Sequence, residues 1–172
     1  MTSVALDSPS PRAKSVKLSL LTGAANTAVC IRLDLGIRRQ GRESALQVLY
    51  QIDVTHREVR EALNLFWNNF SFDEEARSFC ELLVRGVAER GEAINGLIEQ
   101  HAEHWKMSRM TTIDRNILRM AVYELLYCDD IPPKVTINEA VDIGKKFGSE
   151  ESGAFINGIL DRISQHLGAL TG

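Results

Sequence analysis

Arg38-Arg39-Gln40-Gly41-Arg42 sets three guanidinium groups within five residues, directly ahead of Ala45-Leu46-Gln47-Val48-Leu49-Tyr50. A guanidinium is a permanent cation with a planar fork of donors that binds phosphate oxygens and stacks on flat rings, chemistry suited to RNA. At 100° per residue, Arg38, Arg39 and Arg42 fall within about 100° of one another, on the side that Ala45, Leu49 and Ile52 later occupy. One side of a helix therefore changes from basic to apolar. The apolar part requires burial, so the arginines are expected to project past the core at an exposed helix start, whose free N–H groups also favour phosphate. A solvated helix start accounts for these residues equally well. Gly41 weakens such a start, which implies a flexible arm that RNA orders. Replacing the three arginines by alanine is then expected to leave the melting temperature nearly unchanged.

Other candidate groups are more ambiguous. Tyr50 lies about 100° around the helix from Leu49, at the edge of the core or exposed beside it. Phe155 begins a regular apolar stripe and reads either as core or as a stacking platform for an unpaired base, typically contributing ~1–3 kcal/mol. His101 and His104 share a helix face, but no third ligand is evident, and a surface pair beside Trp105 is the expectation. Asp114, Glu124, Glu139 and Glu151 lack the spacing of a general acid and base, so capping or solvated roles are expected; the helix dipole explains Asp114. The chain has no glycine-rich phosphate loop, nucleophile elbow or paired-cysteine site. No enzyme activity, cofactor or metal is expected.

The elements that must position these groups are helical. Apolar residues recur at spacings of three and four, and no period-two alternation is sustained. The first helix should end near Val54, and Val59 to Phe66 forms a second. Ser71 to Glu74 has a capping-box pattern for a third that buries Ala76, Phe79, Cys80, Leu83, Val84 and Val87 and ends near Gly91. A fourth buries Ile94, Leu97, Ile98 and Trp105; a fifth follows Thr111 and stops at Pro132-Pro133. Thr136 to Glu139 reads as the capping box of a sixth. The seventh begins near Ser149, and Gly158 within it is expected to admit a close neighbouring helix.

With 172 residues and 44% hydrophobic composition, the chain suits one domain or two small packed lobes. Its formal charge is −3, so the basic cluster sits on an otherwise mildly acidic molecule, suited to an anionic ligand and a basic partner. Three widely spaced cysteines imply a reduced, cytoplasmic protein. No apolar run approaches the ~20 residues that span a bilayer. Residues 1–37 read as an N-terminal extension, a flexible tail or a misassigned start, ahead of a helical RNA-binding domain at 38–172.

Four ordered stretches carry a resemblance: Arg38-Arg39-x-x-Arg42-Glu43-x-Ala45-Leu46-Gln47-x-Leu49-Tyr50, Asp114-Arg115-Asn116-Ile117-Leu118-Arg119-Met120-Ala121-Val122-Tyr123-Glu124-Leu125, Lys134-Val135-Thr136-Ile137-Asn138-Glu139-Ala140 and Phe155-Ile156-Asn157-Gly158-Ile159-Leu160-Asp161. Together they resemble the bacterial NusB family of transcription antitermination factors. The resemblance implies an all-α fold of about seven helices in two small packed bundles. It also implies a non-enzymatic protein that pairs with NusE, a small-subunit ribosomal protein, to bind single-stranded boxA RNA in nascent ribosomal RNA and join an antitermination complex on RNA polymerase. By motif position, Arg38, Arg39 and Arg42 would contact RNA, with Tyr50 and Phe155 near the bases and Ser149, Glu151 and Ser152 lining the same surface. Asp114, Pro133 and Lys134 would face the partner, although a proline at 133, where a bulky side chain is common, removes a backbone donor. Two alternatives are a NusB-like regulatory domain of the kind that precedes some ribosomal RNA methyltransferases, and a helical interaction module without RNA affinity.

Overall fold

In a computed structural model, residues 24–70, 73–103 and 105–171 are described, with side chains from Gly36 to Gly168 outside the gaps. Among them every regular element is helical: α1 Ala24–Thr55, α2 Val59–Asn69, α3 Glu74–Glu89, α4 Gly91–His101, a 3-10 turn Met107–Arg109, α5 Thr112–Tyr127, α6 Pro133–Phe147 and α7 Ser152–Thr171. Helices α1, α2 and α3 form one small bundle and α4 to α7 the other, with α5 packed against α1 and α3 as well as its own bundle.

Local chemistry sets most boundaries. α1 closes where His56 takes the left-handed conformation, φ 54°, a common helix ending that satisfies terminal carbonyls. Ser71 lies outside the described residues; Asp73 is the N-cap of α3, its Oδ1 accepting from the Glu75 N–H at 2.9 Å. Thr111 caps α5 reciprocally with Asp114: its Oγ accepts from the Asp114 N–H at 3.1 Å and donates to the Asp114 carboxylate at 2.8 Å. Pro133 opens α6 at a first-turn position, where its missing N–H costs nothing and its fixed φ suits the helix.

Four expectations are corrected here. α1 begins at Ala24, so the arginines occupy its middle, where backbone N–H groups are already bonded and offer nothing to a phosphate. Gly41 is not a weak start but a contact point: a Cβ there would stand 2.9 Å from the Ala76 carbonyl oxygen, so glycine lets α1 lie against α3. Thr136 does not cap α6, which starts three residues earlier; Thr136 is buried inside the helix. The expected close approach at Gly158 is also absent, with nothing within 4 Å of its missing Cβ.

The core follows the predicted stripes. Ala76, Phe79, Cys80, Leu83, Val84 and Val87 of α3 are all buried, as are Ile156, Ile159, Leu160 and Ile163 of α7. Trp105 departs from its stripe and is 50% exposed. At the far end of α1, Asp53 accepts from Arg115 at 2.8 Å, Asn116 at 3.1 Å and Arg119 at 3.2 Å, while Arg119 also donates to Asn95 of α4 at 2.9 Å. This fixes α1 antiparallel to α5, with the arginines at one end and Asp53 at the other.

Candidate nucleic-acid interface

The arginines fan across carboxylates of α5, α6 and the turn between them. Arg42 donates to both Glu124 oxygens at 2.8 and 2.7 Å, and Glu124 also accepts from Thr136 Oγ at 3.1 Å. The Arg42 side chain is 3% exposed, which overturns the exposed arm: a guanidinium so buried is structural, because its charge is tolerable only beside its carboxylate. Its Nη1 makes no hydrogen bond but lies 3.8 Å from Glu139. Arg39 forks onto Glu139 with two 2.8 Å bonds and reaches Asp142 at 2.8 Å; the Glu139 bonds hold its protonated form even more firmly than usual. Arg38 donates to Asp130 at 2.7 Å, and that bond holds the exposed Asp130 carboxyl below its ordinary range. Arg38 and Arg42 both stack over Phe79 at 5.3 Å. Arg38 and Arg39 thus retain exposed guanidinium surface while already holding acids.

Beyond Glu43, which accepts from Lys146 at 2.8 Å, α1 presents Tyr50 at 44% exposure. Tyr50 borders a groove of about 370 Å3 with Leu46, Gln47, Ile113 and Phe147. Ile113 and Phe147 lead through their chain neighbours into a second cleft, of about 180 Å3, holding Asp114, Ser149, Glu151, Ser152 and Phe155. Phe155 is half-buried: part of it packs on the core, and its ring meets Trp105 edge to face at 5.4 Å and 66°. Ser152 is buried, its Oγ accepting from the Ser149 N–H at 2.8 Å, and so shapes the turn before α7. Asp114 is 6% exposed, with Oδ1 buried and without a hydrogen-bond partner. Such an acceptor favours a donor arriving in the cleft.

The structure therefore groups Asp114 with Ser149, Glu151 and Phe155. Pro133 and Lys134, both exposed, sit at the other end of α5, roughly 20 Å away by helix rise. His101 is occupied otherwise, its Nδ1 2.9 Å from the Leu97 carbonyl and its ring 4.9 Å from His166; His104 lies outside the described residues. No cluster of three potential metal ligands occurs among the described residues.

Sequence reasoning missed the acids. Glu124 and Glu139 are buried, not solvated. The signal was available: Glu124 continues the stripe of Ile117 and Ala121 at helical spacing, and a carboxylate on a buried stripe requires a cation. Trp105 was also missed, since an exposed indole has no periodic signature.

The NusB family model matches residues 39–165. Over 134 residues the chain is 51% identical to the transcription antitermination protein NusB of Desulfatibacillum aliphaticivorans, covering 78% of this chain and 94% of that protein. It is 48% identical over 134 residues to the Myxococcus xanthus protein of the same name, covering 76% and 96%. Among solved structures, T. maritima NusB superposes with a TM-score of 0.70 at 38% identity, over 74% of this chain and 90% of that one. A chain from a crystal structure of the antitermination factors NusB and NusE in complex with dsRNA gives 0.69 at 28% identity, over 76% and 97%.

Proposed function

The chain belongs to the NusB family, and on that footing we propose that it is a transcription antitermination factor that, with NusE, binds single-stranded boxA RNA in nascent ribosomal RNA. Bound to RNA polymerase in that complex, it would promote processive transcription of ribosomal RNA. The observation that carries this reading is a pair of clefts, one bordered by Tyr50 on the helix that carries Arg38 and Arg39 and the other holding Ser149, Glu151 and Phe155, joined in sequence through Ile113-Asp114 and Phe147-Gly148-Ser149. Cationic forks at one end and exposed rings along the rest suit a strand whose phosphates and base faces are both free. Although its structural neighbour was crystallised with dsRNA, the half-exposed Tyr50 ring favours unpaired bases here, because a duplex keeps its base faces stacked.

Arg38 and Arg39 bind phosphate in this scheme, Tyr50 and Phe155 stack on bases, and Ser149 and Glu151 contact base edges. Arg42 and Ser152 position these groups from inside the fold. Asp114 receives a donor from NusE, and Pro133 and Lys134 are assigned to a partner surface at the arginine end. Because the arginines already hold Asp130, Glu139 and Asp142, the chain alone presents little net positive surface. A basic partner docked beside it raises RNA affinity by adding phosphate contacts. The role requires no catalysis and is exercised in the cytoplasm; no described helix is long and apolar enough to cross a membrane.

The test is titration of labelled boxA RNA and a scrambled control with this protein, with NusE and with their mixture, at two salt concentrations. Tighter, sequence-selective and salt-sensitive binding by the mixture is expected. No gain over the separate proteins would exclude the composite surface.

A further inference from the structure

Gly158 lies inside α7, where glycine costs about 1 kcal/mol relative to alanine. Its φ is not positive, and nothing stands within 4 Å of its missing Cβ. Neither backbone conformation nor helix packing accounts for it. What the absent side chain leaves open is the floor of a cleft of about 250 Å3 between α7 and the segment after α4, walled by Trp105, Phe155 and Arg162 with Glu103 at the rim.

The walls have a distinctive chemistry. Trp105 leaves half its surface exposed and touches Phe155 edge to face, so the aromatic pair divides this cleft from the neighbouring one that holds Asp114 and Ser149. Arg162, which also lines the cleft, is steadied by the His101 carbonyl at 3.1 Å and by Glu103 at 3.4 Å. Flat surfaces, an adjoining donor fork and a carboxylate acceptor match the faces and edge of a heterocyclic base.

We propose that this cleft is a nucleobase pocket that takes one unpaired base over Gly158, between Trp105 and Arg162, and so extends the RNA track beyond Phe155. The inference rests on the RNA-binding reading above and adds to it a site and three residues.

The test is Gly158→Leu, assayed with labelled boxA RNA in the presence of NusE and, separately, for NusE binding without RNA. Open space around position 158 and the better helix propensity of leucine keep the variant folded. RNA binding is expected to weaken roughly tenfold or more, the loss of one stacked base, with NusE binding unchanged. Trp105→Ala, which removes a half-exposed ring, serves as the second variant and is expected to weaken RNA binding likewise. RNA affinity equal to wild type in both variants overturns the pocket and leaves the RNA-binding reading standing. Loss of NusE binding without RNA also overturns it, because the occupant is then a protein side chain. Failure of the wild-type mixture to bind RNA overturns the reading and the pocket together.

Discussion

Arg42 of α1 and Glu124 of α5 meet through two parallel hydrogen bonds of 2.8 and 2.7 Å in a setting where their side chains are 3% and 1% exposed. One arginine of the basic cluster is thus part of the joint between the two bundles. The cluster divides into a buried member that holds the fold and two outer members whose side chains stay partly exposed.

Removing one side of that pair strands a charge in the interior, so Arg42→Ala or Glu124→Ala is expected to destabilise the protein by about 3–5 kcal/mol. Arg38→Ala, whose ion pair is partly exposed, should cost no more than about 1 kcal/mol, and Arg39→Ala, which removes both hydrogen bonds to the buried Glu139 carboxylate, about 1–3 kcal/mol. Urea denaturation midpoints of the four variants check this. An unchanged midpoint for Arg42→Ala would contradict the buried joint. The triple alanine variant consequently loses stability along with RNA binding, contrary to the expectation from sequence.

Asp130 accepts from Arg38 at 2.7 Å and Asp142 from Arg39 at 2.8 Å, each with one oxygen placed as a phosphate oxygen would be. Both acids are more than half exposed, so displacing them costs little stability. Asp130→Asn combined with Asp142→Asn should therefore tighten RNA binding several-fold and steepen its salt dependence, since two carboxylate charges that compete with phosphate beside Arg38 and Arg39 are removed. Filter binding across a salt series measures both quantities. A weaker complex would mean that the acids hold the arginines in their productive orientation.

Helix existence and the buried stripes of α3 and α7 were legible because apolar residues at spacings of three and four leave few alternatives. Long-range pairing was not. Nothing local tells Arg42 from Arg39, since the distinction depends on Glu124, 82 residues away. Thr136 and Glu139 illustrate the same limit: their spacing fits a capping box, but Pro133 had already started the helix, and Thr136 donates to Glu124 while Glu139 accepts from Arg39. Tyr50 and Phe155 were left between core and surface by periodicity; Tyr50 is exposed and Phe155 is half-buried. Gly41 and Gly158 exchanged roles for a related reason, because a glycine's purpose lies in what approaches it.

Asp53 gives a pH signature. Burial works to raise its pKa, but Arg115 and Arg119 prevail and hold it below the ordinary 3.8. A carboxyl with a depressed folded-state pKa contributes stability that is fully present well above 3.8 and is lost as pH falls through that value toward the folded pKa. The stability gap between wild type and Asp53→Asn should accordingly be widest near neutrality and close on acidification below 3.8. Denaturation curves from pH 7 to pH 3 test it; a gap of constant size would show that the carboxylate charge is not what ties α1 to α5.

Phe155 separates the stacking role from the packing role. Its ring is half-buried and meets Trp105 edge to face at 5.4 Å, so Phe155→Ala is expected to cost about 2 kcal/mol, roughly half of what a fully buried phenylalanine costs. If the exposed part of the ring carries a base, RNA affinity measured well below the melting temperature should fall by an additional factor on the order of tenfold. Phe155→Leu discriminates further, since it restores apolar packing without a ring: recovered stability with affinity still lost assigns the base contact to the aromatic face. Recovery of both would assign Phe155 to packing alone and leave Tyr50 as the principal stacking ring of the track.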